Sequence, residues 1–145
     1  MERIRDLLRE YPLSVSGVFL FSLFMTFVYL PYDFLLKPLF RPIEAAQEVW
    51  LGFMLRGWAA KLTEPLHWLL YGVLSYGFYA RRAWAWPLAA LYTLQVAAGT
   101  LIWTLLYASY GAVGNALAFA VAGLFAALAL AVWRARPAGA APEGA

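Results

Sequence analysis

Glu64 and His67 stand in an E-x-x-H spacing that puts a carboxylate and an imidazole on one face of a helix, where they could serve as acid and base. Di-metal bundle proteins use the same spacing, but they repeat it on two helices and add further carboxylates. This chain has one copy and one histidine, so no metal site is expected. A plainer account is open for both residues. Glu64 precedes Pro65, and a carboxylate at a helix start favours the positive end of the helix dipole. His67 would then be an interfacial imidazole bonded to a backbone carbonyl. Nucleophilic catalysis has little to stand on, because there is no G-x-S-x-G elbow around any serine and no second histidine. No glycine loop cradles phosphate. With no cysteine, disulfides, thiolate chemistry and Cys-based metal centres are excluded, and no cofactor is expected.

The elements that must position these groups follow from composition. Of 145 residues, 64% are hydrophobic and only 13% charged, about half the charged fraction of a soluble domain. A lipid bilayer is the natural solvent for such a chain. Its core, about 30 Å thick, takes about 20 apolar residues per helix. Four crossings would leave room for tails and one longer loop. The expected fold is an all-α integral membrane protein, a four-transmembrane-helix bundle with an interfacial helix in its first loop. No basic run interleaved with aromatic residues points to nucleic acid.

Residues 1–12 read as a charged interfacial lead-in with an Ile4/Leu7/Leu8 stripe. The apolar run after it is too long for a signal-peptide core and ends in LPYD, so it reads as a retained first span over 13–32. Pro31 and Asp33 mark its end, and Asp33 with Lys37 is spaced for an i,i+4 ion pair. Residues 42–61 are too polar to span and too apolar to float. They read as an interfacial helix anchored by Trp50 and Trp58. Further spans are expected over 62–80, 84–107 and 112–133, the last two joined by a tight turn at Ser109, Tyr110 and Gly111. No charged residue or histidine occurs over 83–133, as a hairpin of two buried helices requires. The tail, 134–145, is expected to be disordered.

With both termini cytoplasmic, the inner side carries Arg3, Arg5, Arg9, Arg81, Arg82, Arg134 and Arg136. The outer side carries Lys37, Arg41, Arg56 and Lys61, so the positive-inside bias favours this orientation of a multi-pass protein. Gly114, Ala118, Ala122 and Ala126 form a small-residue seam along the last helix. It would pack within the bundle or dock a second copy or a membrane-complex partner.

Asp33, Glu64, His67 and Asn115 then lie near the outer boundary, while Gln95 lies near the midplane. Tyr92, Gln95, Gly99 and Trp103 share one stripe of the third span. Polar groups at membrane depth are functional candidates. Large aromatics around a few of them are what a pocket for a flat apolar ligand needs. The expected ligand-binding set is Asp33, Glu64, His67, Tyr92, Gln95, Trp103 and Asn115, with Glu64 and His67 as the acid–base pair of any catalysis.

The pattern resembles the emopamil-binding protein family, also called EXPERA-domain proteins. Asp33 matches an aspartate late in the first helix, and Trp58 followed by Glu64-Pro65-Leu66 resembles an element before the second. Trp84, Pro87 and Tyr92 follow the order that leads into the third, with Gln95 where histidine is frequent. The likeness covers residues 20–107. It implies a four-helix membrane fold and, in that family, sterol isomerases or sigma-type receptors for sterol-like or cationic amphiphilic ligands. Three functions follow as expectations: a pocket for a lipid-like or sterol-like ligand among the membrane lipids, a lipid double-bond isomerase, or a non-catalytic subunit or assembly factor of a membrane complex.

Overall fold

The computed structural model describes residues 2–107 and 111–137. Ser109, Tyr110 and most of the expected tail lie outside the described residues. The chain is mostly helical. In order it forms α1 (Glu2–Glu10), α2 (Leu13–Leu39), β1 (Gln47–Trp50), β2 (Phe53–Arg56), α3 (Trp58–Lys61), α4 (Glu64–Tyr79), α5 (Ala85–Tyr107) and α6 (Gly111–Arg134). Helices α2, α5 and α6 are long and apolar enough to cross a membrane. At 16 residues, α4 is shorter, about 24 Å at 1.5 Å per residue. Apolar side chains cover the outside: Leu13, Phe27, Val113, Leu117 and Leu124 are all exposed. Such a surface is stable in lipid and insoluble in water.

The first helix does not stop at Tyr32. It runs on to Leu39, with Pro31 and Asp33 inside it. Two π turns, Met25–Tyr29 and Tyr32–Leu36, flank the proline, and the helix closes on a 3₁₀ turn, Lys37–Leu39. In α-helical register the Pro31 ring would collide with the carbonyl four residues back, and the wider turn moves that carbonyl aside. Leu30 N–H accordingly bonds to the Met25 carbonyl and Lys37 N–H to Tyr32. In this five-residue register the next donors, to Thr26 and to Asp33, would be Pro31 and Pro38, and proline has none. Side chains supply them. Trp68 Nε1–H donates to the Thr26 carbonyl at 2.9 Å, and Lys61 Nζ donates to the Asp33 carbonyl. The two prolines thus create the points where α4 and α3 attach to α2.

The interfacial helix expected over 42–61 is absent. A 3₁₀ turn, Ile43–Ala45, leads into an antiparallel hairpin pairing Gln47 with Arg56 and Trp50 with Phe53, followed by the single helical turn of α3. Leu51 and Gly52 both have positive φ, +53° and +88°, as a two-residue hairpin turn requires. Gly52 is obligatory for a second reason. A Cβ there would lie 2.9 Å from the Gly99 carbonyl and closer still to Ile102, so the hairpin tip sits directly on α5.

At the other end, α1 is docked against α4 and the start of α2. Leu7 is fully buried, Tyr11 Oη donates to the Phe78 carbonyl at 2.8 Å, and Glu10 pairs with Arg81 at 2.6 Å. Phe19, Leu74, Phe78, Trp86 and Val132 complete a closed core with Leu7. The last helix packs most extensively on α5. Of its small-residue seam, Ala122 is buried, Gly114 and Ala118 are half-buried and Ala126 is exposed.

Candidate functional site

Between α2, the hairpin, α4 and α5 lies a cavity of about 410 Å³. Asp33, Glu64, His67, Tyr92, Gln95 and Trp103 all line it, although they come from three helices. Asn115 does not. It sits on α6 away from the cavity, half-buried, and its Oδ1 has no hydrogen-bond partner among the described residues.

The carboxylates gather at the hairpin end. Asp33 is buried and pairs with Lys37, one turn along the same helix, as the spacing predicts. Glu64 begins α4, yet its carboxylate does not serve as a helix cap. Both of its oxygens accept from Lys61 Nζ, at 2.8 and 2.9 Å. Lys61 is itself buried and spends its third donor on the Asp33 carbonyl, so it ties α3 to both α4 and α2. A buried pair of this kind keeps its place through complete hydrogen bonding rather than through charge attraction alone.

Glu64 and His67 share the cavity but not a bond. Among the described residues no hydrogen bond joins them, and the imidazole lies edge-on to Trp50 at 4.4 Å between ring centroids. The ring series continues from His67 to Tyr92 at 6.5 Å and from Tyr92 to Tyr71 at 5.4 Å. Gln95 and Gly99 lie one turn apart on α5. A Cβ on Gly99 would stand 3.3 Å from the Gly52 nitrogen, so the glycine lets the hairpin tip close over the cavity.

Sequence reasoning missed the hairpin's contribution. Glu48, Val49 and Trp50 of β1 line the cavity, and Leu51 and Gly52 form its edge at the turn. Glu48 brings a third carboxylate. Burial, and then the neighbouring Asp33 and Glu64 charges, raise its pKa above the usual carboxylate range. The signal was a Leu-Gly step flanked by β-branched and aromatic residues, with Gly57 at a further positive φ, which is strand-and-turn chemistry rather than helix. Lys61 was counted only as a loop charge. Nothing in the sequence marks it as the partner of Glu64 except their i,i+3 spacing.

The cavity walls are mostly aromatic and aliphatic, with carboxylates, an imidazole and an amide placed at a few positions. A mostly apolar lining with a few polar groups at set positions is the general composition of small-molecule sites. Among the described residues no group of histidine, aspartate and glutamate side chains is placed to hold a metal ion. No family model, curated protein or solved structure matches the chain.

Proposed function

We propose that the chain is a four-helix membrane protein whose cavity holds a lipid-like or sterol-like ligand. The single observation that carries this reading is the cavity itself, open between helices and touching both Asp33 and Glu64. Its volume of about 410 Å³ falls within the roughly 300–1,000 Å³ of small-molecule sites. The fourth crossing in this reading is α4 extended by α3. Lys61, Leu62 and Thr63 amides bond back to Gly57, Trp58 and Ala60, so helical turns run nearly unbroken over 58–79. Both termini are cytoplasmic in this reading. Arg3, Arg81 and Arg134 support it by lying at one end of the bundle, since α1 docks beside Arg81 and Val132 packs in the same core as Leu7.

The test is the lipid profile that co-purifies with the protein. Val96 lines the cavity, so Val96→Trp should fill it and deplete the bound species. Leu124→Trp, on an exposed face of α6, should leave the profile unchanged. Identical profiles in wild type and Val96→Trp would sink the reading.

A second reading keeps the same cavity and adds chemistry, a lipid double-bond isomerase with Glu64 and His67 as acid and base. It is favoured by both side chains lining one apolar space. The EXPERA likeness also supports it through Asp33 and Glu64, which both line the cavity, while Gln95 stands there in place of the histidine frequent in that family. Solvent deuterium incorporated into a candidate sterol or lipid under turnover would support it, and none incorporated would remove it.

A further inference from the structure

A second, smaller pocket of about 240 Å³ lies beside the cavity, and its charge is opposite. Among the described residues Lys37, Arg41 and Lys61 line it, with Gln47 and no carboxylate. The cavity is lined, among the same residues, by Asp33, Glu48 and Glu64 and by no lysine or arginine. The pairs Lys37–Asp33 and Lys61–Glu64 therefore run through a shared wall, cations on one side and anions on the other.

The cations are not equally committed. Lys61 has all three donors occupied, by Glu64 and by the Asp33 carbonyl. Among the described residues Lys37 is paired with Asp33 alone, and it is half-exposed. Arg41 is exposed and makes no ion pair among the described residues. The pocket opens where the apolar α2 ends, and Leu36, Leu39 and Phe40 beside it are exposed. A basic pocket edged by bare apolar side chains at the end of a membrane-length helix matches the two-part chemistry of a phospholipid.

We propose that this pocket binds a phosphate group, with the Arg41 guanidinium as its forked donor, Lys37 as a second charge, and Leu39 and Phe40 against acyl chains. The guanidinium fork matches the geometry of phosphate oxygens, whereas a lysine offers only a point charge. The site rests on the membrane reading above for its depth but not on any ligand in the cavity. It also gives a use to the basic residues of the first loop, which otherwise weaken the inside-positive bias.

The test uses the full chain purified in a neutral detergent and titrated with dihexanoyl phosphatidic acid, dihexanoyl glycerol and inorganic phosphate. Phosphatidic acid should bind at least tenfold more tightly than the glycerol lipid. Arg41→Gln should weaken it at least fivefold, and Arg41→Lys should recover part of that loss. Competition by inorganic phosphate at equal concentration would support the site and assign it to free phosphate. Failure of phosphate to compete, with tight phosphatidic acid binding, assigns it to a lipid headgroup. Equal affinity for the two lipids, or an unchanged affinity in Arg41→Gln, overturns the proposal. Val96→Trp should leave phosphate binding intact, so this result stands apart from the fate of the cavity reading.

Discussion

The two ends of the bundle draw on the same residue types and arrive at opposite packing. Around Phe78, the rings of Tyr11, Phe19 and Trp86 pack at centroid distances of 5.3 to 6.4 Å, most of them edge to face, and the side chains of the core are buried. Around Glu64, the rings of Trp50, His67, Tyr71 and Tyr92 meet at similar distances but stand around an open space. The difference lies in what accompanies the rings. At the closed end Tyr11 finishes on the Phe78 carbonyl, while the buried Trp86 Nε1–H has no hydrogen-bond partner among the described residues, so the rings meet there at the cost of one unsatisfied donor. At the open end three carboxylates share one space, and with Asp33 paired to Lys37 and Glu64 to Lys61, Glu48 makes no ion pair among the described residues. One end is packed ring against ring, while the other surrounds a cavity of about 410 Å³.

The contrast predicts where the chain is fragile. Phe78→Ala at the closed end should cost about 4 kcal/mol, the usual loss for truncating a buried aromatic ring. Val96→Ala, beside the cavity, should cost under about 1 kcal/mol, because the space next to it is already empty. Reversible unfolding in mixed micelles measures both. Equal losses would mean that the two ends are packed alike. Lys61→Met comes next, at about 3 kcal/mol, because it strands the Glu64 carboxylate in a buried site. The double variant Lys61→Met/Glu64→Leu should recover most of that loss in the same assay. Without recovery, Lys61 matters for something other than its pair with Glu64.

How much of this was legible in the sequence differs between the ends for the same physical reason. Apolar runs set helix existence, so α5 and α6 fall within a residue or two of where hydropathy puts them. The stripe Tyr92, Gln95, Trp103 also reaches the cavity together, since helical periodicity alone decides which residues share a face. The polar end was harder because its structure departs from local rules. Pro31 reads as a helix end, and only the wide π turns with the donors from Trp68 and Lys61 explain why it is not. Residues 47–56 read as helix by composition. Their strand pairing and contact with α5 across Gly52 and Gly99 are long-range facts. Asn115 was grouped with the cavity residues by depth, but depth does not say which way a residue faces.

The hairpin is the wall that closes over the cavity at the open end, and a mild change should detach it. An isolated two-stranded hairpin is marginal by itself, so this one depends on its seat against α5. Gly52→Ala meets Ile102 and the Gly99 carbonyl and imposes a side chain at a φ of +88°. The expected cost is about 1–2 kcal/mol. The readout is the fluorine NMR resonance of Trp50 in protein labelled with 5-fluorotryptophan, assigned through Trp50→Phe because the chain has seven tryptophans, and it should shift as the indole leaves His67. An unshifted spectrum would show that the tip has slack to spare.

The smallest effect should come from Glu48, and its sign is informative. Its folded pKa is raised, by burial first and by Asp33 and Glu64 next, so the folded state binds this proton more tightly than the unfolded chain does. The contribution is therefore fully present below the unfolded pKa and is lost as pH rises through the folded one. Glu48→Gln keeps the uncharged form at every pH. It should match wild type near pH 4 and exceed it in stability at pH 7–8, by no more than about 0.5 kcal/mol. Stability measured against pH in both proteins decides the point. If the difference instead grows toward low pH, Glu48 is held ionised by Lys37 and Lys61, and the open end is balanced in charge rather than short of one cation.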